Sequence, residues 1–242
     1  MEAERYLKSL AHTAALRRGV RFSRFLDPAE AALATAAARE EGVEVSLFGG
    51  YGEAERVVAA FGAQEDPEYP LCCMEARWSS RAGAPRHRDL LGAQMALGLD
   101  RGCFGDILVG EERAYLFVLK ELCAYIALNL DRAGNVPIAL TPLDRLPDAL
   151  PRPVGRTVRG TVSSLRLDAV VAQIWSLSRS GAQEAIAREK VKLAHIPRNK
   201  CDVQVETGEV ISLKGRGRAR ILSHTPTKKG RIALEIFIYG NN

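Results

Sequence analysis

The chain of 242 residues reads as an α+β protein in three parts. These are an N-terminal helical and α/β segment, a central split βαβ domain, and a C-terminal module of two short helices followed by a small sheet. Three observations predict this. Short runs of alternating apolar residues recur between stretches of helical periodicity. Prolines cluster at Pro142, Pro147, Pro151 and Pro153, the composition of a connector. The sign of the charge changes across that cluster: residues 1–150 carry 17 basic and 22 acidic side chains, residues 151–242 carry 17 and 7. The expected boundaries are 1–66, 67–145, a proline-rich linker over 146–160, and 161–242.

The elements follow in order. Asp27, Pro28 and Glu30 form a capping box with proline at the first helical position. The alanine-rich run Ala29 to Glu40 continues that helix, and Gly42 stops it. Val43, Val45 and Leu47 alternate with polar residues as a half-buried strand, and Gly49, Gly50 and Gly52 mark a turn. Val57, Val58 and Phe61 are expected on one face of a short helix. Beyond Asp66-Pro67, the order is strand (Pro70 to Trp78), helix (Arg86 to Leu97), two strands (Asp106 to Val109 and Ala114 to Val118), helix (Lys120 to Leu130) and strand (Val136 to Leu140). That is a split βαβ arrangement, shared by RNA-binding domains and by others that never meet RNA.

Composition and missing motifs remove several classes of function. With 47% hydrophobic and 26% charged residues, the chain is neither disordered nor a disulfide scaffold. No long uncharged apolar run suggests a membrane span. The N-terminus lacks the layout of a secretory signal. Cys72, Cys73, Cys103, Cys123 and Cys201 contain no C-x-x-C pair and read as buried reduced thiols of a cytoplasmic protein. The histidines lack metal-ligand spacing relative to one another and to the cysteines. There is no P-loop and no serine-hydrolase elbow. The expectation is a non-enzyme with no catalytic residue, metal or cofactor.

The last third is more specific. Leu167, Val170, Val171 and Ile174 form one apolar helix stripe. Ser178 is the N-cap of a second helix that buries Ala182, Ala185 and Ile186. Lys190 to Leu193 alternates charged and apolar residues as a strand. Val203, Val205 and Val210 to Leu213 continue the β character around a turn at Thr207-Gly208-Glu209. Arg179 and Ser180 sit where free N–H groups and a planar guanidinium favour phosphate. Lys190 and Lys192 share a strand face. Lys214, Arg216, Arg218 and Arg220 alternate with small residues, so an extended chain gathers them on one face. Such a surface follows phosphate and shape more than base edges. With only Trp175, Phe237 and Tyr239 as aromatic residues here, folded RNA is expected over stacked single strands.

Leu165-Arg166-Leu167-Asp168, Ser178-Arg179-Ser180, Lys190-Val191-Lys192 and Gly208-Glu209 together resemble the alpha-L, or S-four, RNA-binding domain over about residues 163–222. Glu189 stands where that domain usually has glycine, and Ala194-His195 where Asn-Gly is common. His87 to Gly92, Leu97 to Arg101, Gly105 to Val109 and Gly215-Arg216-Gly217-Arg218 resemble the YlmH family across nearly the whole chain. The resemblance implies an RRM-like RNA-binding domain over residues 67–145 followed by an S-four domain. It implies binding to rRNA and tRNA on the large ribosomal subunit and support of alanine tailing in ribosome-associated quality control. The expected protein is a cytoplasmic monomer without membrane contact. Arg166, Ser178, Arg179, Ser180, Lys190, Lys192, Lys200, Lys214, Arg216 and Arg218 are the expected RNA-binding residues. Asp168 is expected to pair helices rather than to serve as the catalytic carboxylate of pseudouridine synthases. Two alternatives are an RNA-modifying enzyme and a cell-division interaction factor.

Overall fold

The capping box forms as expected. The Asp27 carboxylate accepts from the Glu30 amide at 2.9 Å, and the Glu30 carboxylate accepts from the Asp27 amide at 3.0 Å. The computed structural model describes all residues except Met1, Arg18, 64–66, 80–82, 152–154, His195, Lys229 and 241–242. Asp66, Pro153 and His195, used in the sequence argument, lie outside the described residues. The chain divides into two compact units, Met1–Arg152 and Pro153–Asn242.

In the first unit, helices α1 (Glu2–Arg17) and α2 (Pro28–Glu41) pack through Leu7, Ala11, Ala14, Ala34 and Ala38. They cover an antiparallel sheet of β1 (Arg21–Leu26), β2 (Val45–Phe48) and β3 (Val57–Phe61), with β3 in the middle. The helix expected around Val57, Val58 and Phe61 is therefore a strand. Val58 to Phe61 are all buried, because Ala59 and Phe61 face the helices while Val58 faces the next sheet. A strand covered on both faces loses its polar alternation and imitates a buried helix.

The central domain contains β4 (Leu71–Arg77), α3 (His87–Ala96), β5 (Phe104–Val109), β6 (Arg113–Leu119) and α4 (Cys123–Asn129). A two-residue pair, β7 (Arg132–Ala133) and β8 (Val136–Pro137), leads to β9 (Ala139–Leu143). The sheet order β5-β6-β4-β9, antiparallel throughout, is the split βαβ topology. The expected strand Val136 to Leu140 resolves into β8 and β9. Pro142 is tolerated because β9 is an edge strand. Cys72 and Cys123 form a sulfur–sulfur pair between β4 and α4, with Cα atoms 6.4 Å apart. This corrects the reading of five separate thiols; Cys73, Cys103 and Cys201 are free.

One polar network joins the two sheets of this unit. The Asp106 carboxylate accepts from the Tyr51 hydroxyl at 2.9 Å and from the Glu55 and Arg56 amides at 2.7 and 3.2 Å. The Arg56 guanidinium donates to the carbonyls of Phe104 and Phe25. Burial raises the Asp106 carboxyl above its ordinary value against these donors.

The second unit begins with β10 (Gly155–Val162), inside the stretch expected as a linker, while Leu146 and Leu150 pack in the first unit. Helices α5 (Leu167–Trp175) and α6 (Arg179–Ala187) lie against β11 (Val191–Leu193), β12 (Ile196–Pro197), β13 (Val210–Leu213), β14 (Gly217–Pro226) and β15 (Ile232–Tyr239). The six strands run antiparallel in the order β10-β15-β14-β13-β11-β12. Leu167, Val170, Val171 and Ile174 are all buried in the shared core, as their spacing predicts.

Glu189 and Ala194 bracket β11 with φ of 54° and 48°. Both lie in the left-handed region, which costs a residue bearing a Cβ about 1 kcal/mol or more. The Glu189→Gly variant is expected to stabilise the basic unit by up to about 1 kcal/mol, read as a rise in its denaturant midpoint.

Candidate nucleic-acid interface

The basic unit is organised around a buried carboxylate. Asp168, in the first turn of α5, is fully buried. Its Oδ1 accepts from Arg179 Nη2 at 2.9 Å, the Ala169 amide at 3.0 Å and Arg166 Nε at 3.3 Å. Its Oδ2 accepts from Gln183 Nε2 at 3.0 Å and Arg166 Nη2 at 3.4 Å. Burial alone would raise this carboxyl. The Gln183 amide and the two guanidiniums overcome that and hold it at about 2. Asp168 is thus the helix-pairing residue expected from the sequence, and it draws Arg166 and Arg179 to one point.

Both arginines keep an outward side. Their side chains are 39% and 43% exposed, so each fork is held by Asp168 on one flank and faces water on the other. Ser178 caps α6, its Oγ accepting from the Gly181 amide at 3.0 Å and lying 3.1 Å from Ser180 Oγ. The first-turn amides of Arg179 and Ser180 have no intrahelical acceptor in this geometry. Lys200 is exposed on the loop whose Cys201 and Val203 carbonyls accept from the Asp168 and Leu167 amides. Arg166, Ser178, Arg179, Ser180 and Lys200 therefore belong to the Asp168 end of the helix pair.

The other expected residues lie elsewhere. Lys190 lies three residues beyond the far end of α6, eleven residues after Arg179; the nine-residue helix itself spans about 13 Å at the helical rise. Lys192 is exposed between buried Val191 and Leu193, on the sheet face turned away from the helices. Lys214 and Arg216 occupy the turn between β13 and β14, which corrects the extended strip expected for Lys214, Arg216, Arg218 and Arg220. Gly215 and Gly217 have φ of 82° and 101°; glycine favours such a turn over an extended run. Arg216 folds back on α5: its carbonyl accepts from Trp175 Nε1 at 3.1 Å, and its Nη1 donates to the Trp175 carbonyl at 3.4 Å. Arg218 and Arg220 alone of the four share a strand face, flanking buried Ala219.

The central domain presents its sheet differently from an open RRM, where aromatic residues on the central strands stack bases. The corresponding face carries Cys73, Tyr115 and Phe117, all buried against Phe25 and Val58. Tyr51 stacks on Phe117 with centroids 5.0 Å apart. Glu75 on this face accepts from Arg77, Arg113 and the Tyr115 hydroxyl. Base stacking on these central strands is closed by the N-terminal sheet. Among the described residues, no cluster of His, Cys, Asp or Glu is arranged to hold a metal, and no helix is long and apolar enough to cross a membrane.

Sequence reasoning missed Gln183 as a third side-chain donor to Asp168. It also missed the pairing of Arg218 and Arg220 with the aromatic residues of β15. Strand alternation in Ile232 to Tyr239 held a signal for the second of these.

Residues 64–145 match the family described as "Putative RNA-binding domain in YlmH". The ribosome-associated protein quality control protein P2 of Bacillus subtilis (strain 168) is 31% identical over 218 residues, spanning 87% of this chain and 85% of that protein. The solved structure of the cell division protein ylmH from Streptococcus pneumoniae superposes with a TM-score of 0.51 at 22% identity. It covers 59% of this chain and 89% of that one, which is a likeness of fold.

Asp168 has a depressed folded-state pKa, so its stabilisation is complete above about pH 4 and disappears as pH falls toward 2. Asp168→Asn is expected to destabilise the basic unit by about 2 kcal/mol near neutrality. The gap between parent and variant should narrow as pH falls from about 4 to 2, measured by denaturant unfolding across that range.

Proposed function

The chain belongs to the YlmH family, and on that premise we propose that it is a non-catalytic, RNA-binding factor of ribosome-associated quality control. In this reading it engages rRNA and tRNA on the large ribosomal subunit in the cytoplasm, as a monomer, and supports alanine tailing of stalled nascent chains. The observation that carries the reading is the pair of guanidiniums, Arg166 and Arg179, held by one buried carboxylate beside the N-terminus of α6. Ordering them before contact lowers the entropy lost on binding phosphate. The name of the Bacillus relative and the description of the matched family agree with a ribosomal, RNA-binding role. The distribution of charge agrees too, because the surplus of cations falls in residues 151–242.

An RNA-modifying enzyme of the pseudouridine-synthase kind would need Asp168 open to a base. Its carboxylate is instead buried and engaged by Arg166, Arg179, Gln183 and a backbone amide.

Replacing Arg166 and Arg179 together by alanine is expected to lower co-sedimentation with isolated large subunits at least about tenfold, while the helical circular dichroism is retained. Because alanine leaves Asp168 without its cations, Arg179→Lys is the second variant. It keeps the charge, loses the planar fork, and is expected to fall between parent and double variant. For the parent, affinity should drop roughly a hundredfold or more between low and moderate salt if several phosphates are neutralised. A flat salt profile points to a protein partner and counts against the reading.

A further inference from the structure

The helices cover one face of the six-stranded sheet; the other face has its own chemistry. Strand register places Lys192 opposite Ser212, and Ser212 opposite Arg218. The Arg218 guanidinium sits over the Tyr239 ring, 4.8 Å from its centroid, and Tyr239 pairs with Gly155. These residues form one row across five strands. The next row on the same face joins Val210, Arg220, Phe237 and Thr157. The Phe237 and Tyr239 rings meet edge to face, centroids 5.1 Å apart at 85°. Phe237 lies over the backbone of Gly155, where an added Cβ would meet the ring at 2.5 Å. Glycine at that position leaves room for the ring.

Charge on this face is one-sided. Lys192, Arg218, Arg220 and Arg159 are its cations, and Glu235 is the acid at the outward positions of these rows. Arg159 engages Glu235 at 3.1 Å. Arg220 Nε is buried and has no hydrogen-bond acceptor among the described residues. Partly exposed aromatic rings among guanidiniums on a sheet face are a pattern that takes unpaired nucleotides: the ring accepts a base face, the cations take flanking phosphates. A folded duplex offers no exposed base face to these rings.

We propose that the face of β11, β13, β14, β15 and β10 turned away from α5 and α6 is a second RNA surface, which binds an unpaired stretch of RNA. Phe237 and Tyr239 stack its bases, while Lys192, Arg218 and Arg220 hold its backbone. This surface is distinct from the Asp168-centred cluster, and it deepens the RNA-binding reading, on which it rests.

The test uses the full chain, an unstructured oligouridine of about ten nucleotides, and isolated large subunits. Phe237→Leu with Tyr239→Leu keeps an apolar cover on the sheet while removing the rings. This double variant is expected to weaken oligouridine binding about tenfold or more in fluorescence anisotropy, with its circular dichroism retained. Arg218→Ala with Arg220→Ala should weaken it as well, whereas Arg166→Ala with Arg179→Ala should leave it within about threefold and lose the large subunits. The proposal is overturned if the leucine variant binds oligouridine like the parent. It is also overturned if the parent binds large subunits but not the oligouridine, an outcome that leaves the ribosomal reading standing. A parent that binds neither defeats both. Should the leucine variants fail to fold, the Arg218 and Arg220 pair decides the matter alone.

Discussion

A single carboxylate sets the geometry of the basic unit. Asp168 is buried at the start of α5 and carries a charge that water cannot reach. Such a charge persists only where cations and hydrogen-bond donors surround it. Arg166 comes from the residue that caps α5, whereas Arg179 and Gln183 come from the first two turns of α6. Satisfying Asp168 therefore fixes how the two helices pack, and it leaves two guanidiniums ordered at the surface. The same bonds that satisfy the carboxylate leave further donors on each arginine, because each uses only part of its planar fork on Asp168.

The first unit relies on a comparable device for a different end. Asp106 and Arg56 join the N-terminal and central sheets by satisfying backbone groups on both. The apolar contacts of Phe25 and Val58 with Tyr115 and Phe117 complete the seal. Rings that an open RRM would offer to bases become core. The surplus of cations falls in residues 151–242, where basic side chains outnumber acidic ones by 17 to 7. There the two sides of one sheet differ in kind: preorganised guanidiniums near the helix N-termini, and aromatic rings among cations on the strand side.

Much of this was legible in the linear order. The capping box at Asp27 and Glu30, the stop at Gly42, the order of the split βαβ elements and the apolar stripe of α5 all rest on neighbours within a few positions. Local propensity and periodicity report such neighbours directly. Glu189 and Ala194 show the same legibility in reverse. They stand where the S-four resemblance leads one to expect glycine or Asn-Gly, and the backbone still takes positive φ there, because the sheet and α6 dictate the turn.

What only the folded chain decided involves partners far apart in sequence. Val57 to Phe61 is a strand because two layers bury it from opposite sides, and no window of the sequence contains both layers. Lys214 and Arg216 leave the expected strip because β13 and β14 pair with each other, which forces a turn between them. The convergence of Arg166, Arg179 and Gln183 on Asp168 depends on the crossing of two helices, and the rows uniting Lys192, Arg218 and Tyr239 depend on strand register. Sequence determined which residues are cationic and which segments are regular, since those are properties of short stretches. Tertiary structure decided which cations share a surface, since long-range packing and hydrogen-bond pairing alone bring distant side chains together.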